Sequence, residues 1–389
     1  MAGTNGKGSV AALVESAVRR AGLRTGLYTS PHLVSFRERI RLDGRLIPEP
    51  LLLLSVRRLK AAVESLDWAA HGKPTFFEAN TAVGFWAFAE AGVELAVVEV
   101  GMGGRLDATR ACEPAACVIT RIGYDHMAKL GRTLDRIARE KAGIAKAGVP
   151  LLCGPQDEAA AGAIREACCA AGAPLTELAS EQFRVTCATL SRTEIELNLP
   201  GLPRRLATRL AGDFQGENLA IAAAACGLLR SRGFAISDEA LARGFEEAVW
   251  PGRVQVVPGS PTVILDGGHN PSATGPLADF LAKHLAGRRV VAVLSFSANK
   301  DVRAAALPLL KLAGEVVLTR SSVPRSAEPA ELAVRLEGLL PSYSVVDDPR
   351  AALEAASAAA GPDGVVLVAG SFFLIGDLIK GLPGAYPFS

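Results

Sequence analysis

From one end of the chain to the other, short apolar runs rich in β-branched residues alternate with segments whose apolar residues recur at helical spacing. That alternation restricts the fold to a mainly parallel sheet covered by helices. In the first part the strand-like runs are Thr25–Thr29, Leu95–Val100, Ala116–Thr120 and Val149–Cys153. Helical patterns lie between them at Gly6–Ala21, Glu78–Ala91, Thr133–Ala147 and Asp157–Ala171. A polar alternating stretch, Phe183–Leu199, reads as a hairpin appended to the sheet, and helices follow at Gln215–Arg232 and Ser237–Ala248. At Trp250-Pro251-Gly252-Arg253 a Pro-Gly turn marks a hinge, after which strands recur at Thr262–Asp266, Arg289–Ser295, Glu315–Thr319, Ser344–Val346 and Gly364–Ala369. A length of 389 residues exceeds one ordinary core. The expected organisation is therefore an α/β domain over 1–253 and a smaller, Rossmann-like doubly wound domain over 254–389.

Charge and cysteine content narrow the function classes. Lys and Arg number 42 against 40 Asp and Glu, with no block of like charge, which argues against a nucleic-acid or anionic-membrane surface. The longest apolar stretch, Leu219–Leu229, is too short to cross a bilayer, and no signal-peptide pattern opens the chain. Seven cysteines occur without a CxxC pair or zinc-type His spacing, so reduced thiols and a cytoplasmic location are expected.

The chemistry-bearing residues begin at once. Gly3-Thr4-Asn5-Gly6-Lys7-Gly8-Ser9 runs straight into a helix, so backbone N–H groups and the helix dipole can receive phosphate oxygens. In that reading Lys7 meets the terminal phosphates, and Ser9 orients them or the magnesium; the bland alternative is a Gly-rich helix cap, since the full GxxxxGK[ST] spacing is absent. Glu99 ends an apolar strand and precedes Gly101-Met102-Gly103-Gly104-Arg105-Leu106-Asp107, a placement suited to Mg²⁺, against the alternative of an acid pointing to water. Asp125-His126 repeats that position after the next strand, although a lone His is more often structural. Lys141 shares a helix face with Leu134, Ile137, Ala138, Ile144 and Ala145, where it either snorkels outward or stays buried with a depressed pKa. A buried neutral Lys141 can capture carbon dioxide as a carbamate. In the second domain Asp266-Gly267-Gly268-His269-Asn270-Pro271 follows a strand and precedes a helix, and Arg253 lies just after the hinge turn. Alone, that segment reads as an ordinary turn; polar groups at a domain junction can instead complete a site on closure.

In order, Ala2–Ser9, Ser30-Pro31-His32-Leu33, Thr75-Phe76-Phe77-Glu78, Glu99–Ala108, Ile122–His126, Glu140–Ile144, Trp250–Arg253 and Asp266–Pro271 closely resemble the dihydrofolate synthase/folylpolyglutamate synthase family of Mur ligases. The resemblance extends to Gly370-Ser371. It implies an ATP-dependent ligase that phosphorylates the carboxylate of dihydropteroate or of a folate and then joins it to L-glutamate. It assigns ATP to Thr4, Asn5, Gly6, Lys7, Gly8, Ser9, Asn218, Arg253 and Asp266. It assigns magnesium to Ser30, Glu99 and His126, a carbamylated side chain to Lys141, and the pterin side to Thr75, Phe76, Phe77, Glu78, Leu106, Asp107 and Ala108. Lys7, Lys141, His126 and His269 are the implied catalytic groups, in a chain that acts as a monomer.

Departures from the family pattern are Phe214 before Gln215, Arg110 after Asp107-Ala108-Thr109, and Asn299 before Lys300-Asp301, all bearing on substrate preference. The pattern also places a strand ahead of the glycine loop, with Val where Met1 stands, so the first strand is expected to be missing, as a GTG codon read as a start would produce. A Mur-type peptide ligase and a truncated, catalytically silent ATP-binding protein are the competing readings.

Overall fold

The computed structural model describes residues 1–388. Contacts divide the chain into two compact units, neither continuous in sequence. The first comprises Met1–Arg184, Ile195–Ala207 and Glu217–Ala248; the second comprises Val185–Glu194, Thr208–Gly216 and the chain from Val249 onward. The division thus falls before Trp250, whereas the sequence suggested a boundary after Arg253.

The first unit opens with α1 (Lys7–Arg20), β1 (Thr25–Tyr28), β2 (Ile40–Leu42), β3 (Arg45–Leu46) and α2 (Glu49–Glu64). A single turn α3 (Trp68–His71), α4 (Phe76–Glu90) and β4 (Leu95–Val98) follow. Then come β5 (Cys117–Ile119), α5 (Met127–Leu130), α6 (Leu134–Ala142), β6 (Leu151–Cys153), α7 (Glu158–Ala171) and β7 (Leu175–Glu177). One sheet runs β3-β2-β1-β4 and another β5-β6-β7, with β1 parallel to β4 and both neighbours in the second sheet parallel.

Between these sheets lie Met1 and Ala2. The Met1 amino group donates to Val98 O at 2.6 Å and Val100 N donates to Met1 O at 2.9 Å. On the other side Ala2 N donates to Val118 O at 2.8 Å and Thr120 N to Ala2 O at 2.9 Å. The place of the strand expected to be missing is therefore held by two residues, which deliver the glycine loop to the strand ends.

The polar stretch after α7 forms β8 (Phe183–Ala188) and β9 (Thr193–Leu197), joined by β10 (Arg205–Thr208). They make a separate three-stranded sheet in the order β10-β9-β8 rather than an extension of the parallel one. The helices α8 (Asp213–Ser231) and α9 (Asp238–Glu247) come next. α9 lies against α1 so closely that a Cβ on Gly244 would sit 2.4 Å from Ala17 Cα. The helix expected over Thr133–Ala147 stops at Ala142, with Gly143 as its C-cap; a Cβ there would meet Arg105 Cβ at 2.4 Å.

The second unit contains β11 (Gln255–Val257), β12 (Thr262–Asp266), α10 (Pro271–His284), β13 (Val290–Leu294), α11 (Val302–Leu312), β14 (Glu315–Leu318) and α12 (Pro329–Arg335). It ends with β15 (Ser342–Val345), α13 (Pro349–Ala360), β16 (Val365–Ala369) and α14 (Phe372–Ile379). Its sheet runs β11-β12-β16-β13-β14-β15, parallel except for β11. Every residue of β13 and β16 is buried, as continuous apolar runs in a doubly covered sheet require. No helix among the described residues is long and apolar enough to cross a membrane.

Candidate active site

α1 starts without a side-chain cap: Gly6, its N-cap residue, has φ 83°, and no acid occupies its first turn. By contrast α4, α7 and α10 are capped by Thr75, Asp157 and Asn270. The first N–H groups of α1 are thus left for an outside acceptor, and the dipole there favours an anion. The loop ahead of it is held by the segment that ends and follows β5. Thr4 N donates to Arg121 O at 2.9 Å, Thr4 Oγ1 donates to Gly123 O at 3.0 Å, and Thr120 Oγ1 donates to Asn5 O at 2.6 Å. A Cβ on Gly6 would lie 2.2 Å from Asn218 Oδ1, which places the Asn218 amide directly against the loop. Gly8 and Ser9 are buried in the first turn.

Lys7 and Glu99 meet beside this loop. Lys7 Nζ donates to Thr4 O at 3.1 Å and lies 3.9 Å from Glu99 Oε1. The other Glu99 oxygen accepts from Ser30 N at 3.2 Å. Glu99 is only 5% exposed, so the reading of an acid pointing to water fails. Lys141 is equally buried, and it does not snorkel: its Nζ donates to Gly3 O at 2.7 Å, reaching the loop from α6. Burial, reinforced by the positive charge of Lys7, lowers its pKa to about 7, while Asp125, Asp107 and Glu99 pull the other way. The side chains expected to share one site are therefore close enough to act on one another's charge.

His126 stands apart in character. It adopts a left-handed backbone (φ 50°) at the start of α5, and its ring is partly exposed, with Nε2 3.9 Å from Asp125 Oδ1. Among the described residues no three His, Cys, Asp or Glu side chains form a metal-binding cluster. A buried carboxylate with few protein donors fits Mg²⁺, which keeps water and phosphate oxygens in its shell.

The residues expected on the pterin side divide by task. Thr75 and Glu78 form a reciprocal capping box at the head of α4, with Glu78 N donating to Thr75 Oγ1 at 3.2 Å and Thr75 N to Glu78 Oε2 at 2.7 Å. Phe77 packs where a Cβ on Gly101 would be, 2.4 Å from its ring, whereas Phe76 is 67% exposed and Leu106 81% exposed. Asp107 is buried and accepts from Gly101 N, Met102 N and Thr109 N, each at 3.0 Å, and from Thr109 Oγ1 at 2.6 Å. Its carboxylate folds the glycine-rich loop, from which Leu106 faces outward while Ala108 is half-buried. The loop rests on α6, with Arg105 N donating to Glu140 O at 2.9 Å and the two side chains paired at 3.0 Å.

The second unit has its own ordered cluster. Asp266 is buried and accepts from Gly268 N at 2.7 Å and Val254 N at 2.9 Å; burial raises its pKa, opposed by the Arg253 charge. The Arg253 guanidinium lies 4.0 Å from the Phe372 ring centroid. His269 Nδ1 is 3.0 Å from Gly267 O, and its ring meets Phe372 edge-on at 6.4 Å. The segment read alone as an ordinary turn therefore organises an acid, a cation and an imidazole within one unit.

Residues with no sequence signal support the first loop. Gln156 accepts from Ile122 N at 2.8 Å and donates to Thr120 O at 3.1 Å, while Arg121 pairs with Glu217. Only the fold brings these distant positions together.

Residues 1–226 match the Mur ligase middle domain family, and residues 252–372 match the Mur ligase glutamate ligase domain. The dihydrofolate synthase/folylpolyglutamate synthase of Bacillus subtilis is 34% identical over 98% of this chain and 89% of that protein. A probable bifunctional folylpolyglutamate synthase/dihydropteroate synthase of Halobacterium salinarum is 38% identical over 97% of this chain, which spans only 46% of that longer protein. A solved structure of Mycobacterium tuberculosis folylpolyglutamate synthase complexed with ADP superposes with a TM-score of 0.89 at 31% identity, covering 99% of this chain and 90% of the other. The Yersinia pestis bifunctional enzyme complexed with AMPPNP and a Mn ion gives 0.82 at 31% identity, covering 98% and 87%.

Proposed function

This chain belongs to the dihydrofolate synthase/folylpolyglutamate synthase family of Mur ligases, and we propose that it joins L-glutamate to dihydropteroate, to a folate, or to both. It is an ATP-dependent, amide-bond-forming ligase. The observation that carries this reading is the uncapped start of α1, with Lys7, Glu99 and the buried Lys141 all directed at one glycine loop.

In the proposed reaction the substrate carboxylate attacks the terminal phosphorus of ATP, giving an acyl phosphate and ADP. The glutamate amine then attacks the acyl carbon, and phosphate leaves. The N–H groups of Gly6–Ser9, presented by the loop that Thr4 and Asn5 anchor to Arg121 O, and the Lys7 ammonium hold the phosphates and neutralise charge that builds on the transferring group. Asn218 in the first unit, and Arg253 and Asp266 in the second, are the proposed further ATP contacts. Ser30, Glu99 and His126 are the proposed magnesium ligands, and bound Mg²⁺ would offset phosphate charge. Lys141, its pKa lowered to about 7 so that part of it is neutral near that pH, is the proposed carbamate, formed when the neutral amine captures carbon dioxide and releases a proton. Phe76, at the head of α4, and Leu106, on the loop that Asp107 keeps in shape, offer exposed apolar surface for the pterin, and Thr75, Phe77, Glu78, Asp107 and Ala108 complete that side. His269 is the proposed catalytic group of the second unit. The enzyme is proposed to work as a cytoplasmic monomer.

ADP release should require Mg²⁺, glutamate and a pterin together. Turnover with a nucleotide-linked peptide but not with dihydropteroate or tetrahydrofolate would replace this reading with that of a peptide ligase, and ATP binding without turnover would support a silent ATP-binding protein.

A further inference from the structure

The phosphate loop is shaped by the segment at the end of β5. Thr4 N and Asn5 N both donate to Arg121 O, at 2.9 and 3.4 Å, and Thr4 Oγ1 exchanges hydrogen bonds with Gly123. The backbone of Arg121 is therefore part of the cradle that aims the loop. Its side chain goes elsewhere. Arg121 Nε donates to both Glu217 oxygens, at 3.0 and 3.2 Å, and a terminal nitrogen also meets Oε2. Glu217 precedes Asn218 on α8, and the Asn218 amide fills the space in front of Gly6. One planar guanidinium thus joins the strand end that receives the loop to the helix that presses on its other side.

We propose that Arg121 and Glu217 are a positioning pair for ATP: their fork sets the spacing between the β5 end and Asn218, and so fixes the loop in its phosphate-receiving shape. The inference deepens the reading of the loop as the ATP site. Neither side chain is placed on the substrate, so neither is a catalytic residue. The Arg121 side chain is half exposed and that of Glu217 17% exposed, so solvent screens the pair in part and its contribution to folding is modest. The same small energy is enough to tilt a loop between two arrangements. A bidentate fork also has a geometric demand that a lysine cannot meet.

The test measures ATP binding by calorimetry on the full chain with Mg²⁺, without pterin or glutamate, alongside KM and kcat in the complete reaction. Arg121→Met and the near-isosteric Glu217→Gln should each weaken ATP binding by about three- to fivefold, the scale of one surface pair. The KM for ATP should rise in step, while kcat at saturating ATP and the KM for the pterin stay near their starting values. Arg121→Lys should recover only part of the loss, and the reversed pair Arg121→Glu with Glu217→Arg should recover most of it. ATP affinity unchanged in both single variants overturns the positioning role and leaves the ATP site standing. An equal loss in kcat and in thermal stability would mark the pair as merely structural, and it too overturns the proposal. A wild-type chain that binds no ATP would overturn the reading of the site itself, and this inference with it.

Discussion

Gly6 is the position where one added methyl group has the most legible cost. Its φ of 83° is open to glycine but strained for alanine, and a Cβ would stand 2.2 Å from Asn218 Oδ1. Gly22, just past the end of α1, isolates the first cost from the second: its φ is 89°, with nothing within 4 Å of an added Cβ. The left-handed conformation costs a non-glycine residue about 1–2 kcal/mol. Forcing the Asn218 amide aside adds about 1–3 kcal/mol, the usual range for overpacking. Gly22→Ala should therefore destabilise by about 1–2 kcal/mol and Gly6→Ala by about 2–5 kcal/mol, read as shifts in urea unfolding. Combining Gly6→Ala with Asn218→Ala removes the colliding oxygen, so the double variant should be more stable than the sum of the two single losses by about 1–3 kcal/mol. ATP titration of Gly6→Ala should show weakened binding, while Gly22→Ala should bind as the unaltered chain does. Equal losses at Gly6 and Gly22, with no coupling to Asn218, would refute the collision and with it the placement of Asn218 against the loop.

Lys141 predicts a pH dependence of definite sign. Its amine holds a proton to about 10.5 when unfolded but only to about 7 when buried, so between those values the unfolded chain binds more protons. Its contribution is thus complete above pH 10.5 and is lost as pH falls toward 7; in carbon-dioxide-free buffer Lys141→Met should flatten the rise in stability between pH 7 and 9, a change on the order of 1–3 kcal/mol. An undiminished slope in that variant would sink the argument. Asp107→Asn should cost about 1–3 kcal/mol, because its NH₂ would face N–H groups that the carboxylate now accepts. Thermal melting and the KM for the pterin should move together, and a silent substitution would show that the loop holds its shape without Asp107.

Much of the framework follows from local pattern, and the strand Thr262–Asp266 lies where its continuous apolar run and flanking turn residues place it. Lys141 was legible too, since a cation on an otherwise apolar helix face has to end up either buried or bent outward. The hairpin of β2 and β3 left a weak trace. Its turn at Asp43-Gly44, with φ values of 48° and 74°, joins strands so short that their alternation barely repeats. Other features had no local trace at all. The backbone bonds of Met1 and the bridge of Ala2 are defined by partners near positions 98 and 118. The resemblance assigned Asp107 to the pterin side; that it also shapes the loop was not legible, because four donors converge on its carboxylate only after the loop has folded. Arg121 and Glu217 are 96 positions apart, and neither sits in a motif.

The discontinuity of the two units shapes how the chain can emerge from a ribosome. The first unit's last segment, Glu217–Ala248, carries the helix whose Gly244 seats on Ala17, so the earliest helix waits for residues made more than two hundred positions later. Ala188, Leu190, Ala211 and Phe214 are synthesised before residue 249, yet they pack on the core built by the sheet that follows it. A nascent chain halted near the Pro251-Gly252 turn would hold these apolar groups in water. Folding is therefore interleaved rather than sequential, and a fragment cut at that turn lacks the surface that its own hairpin was made to cover.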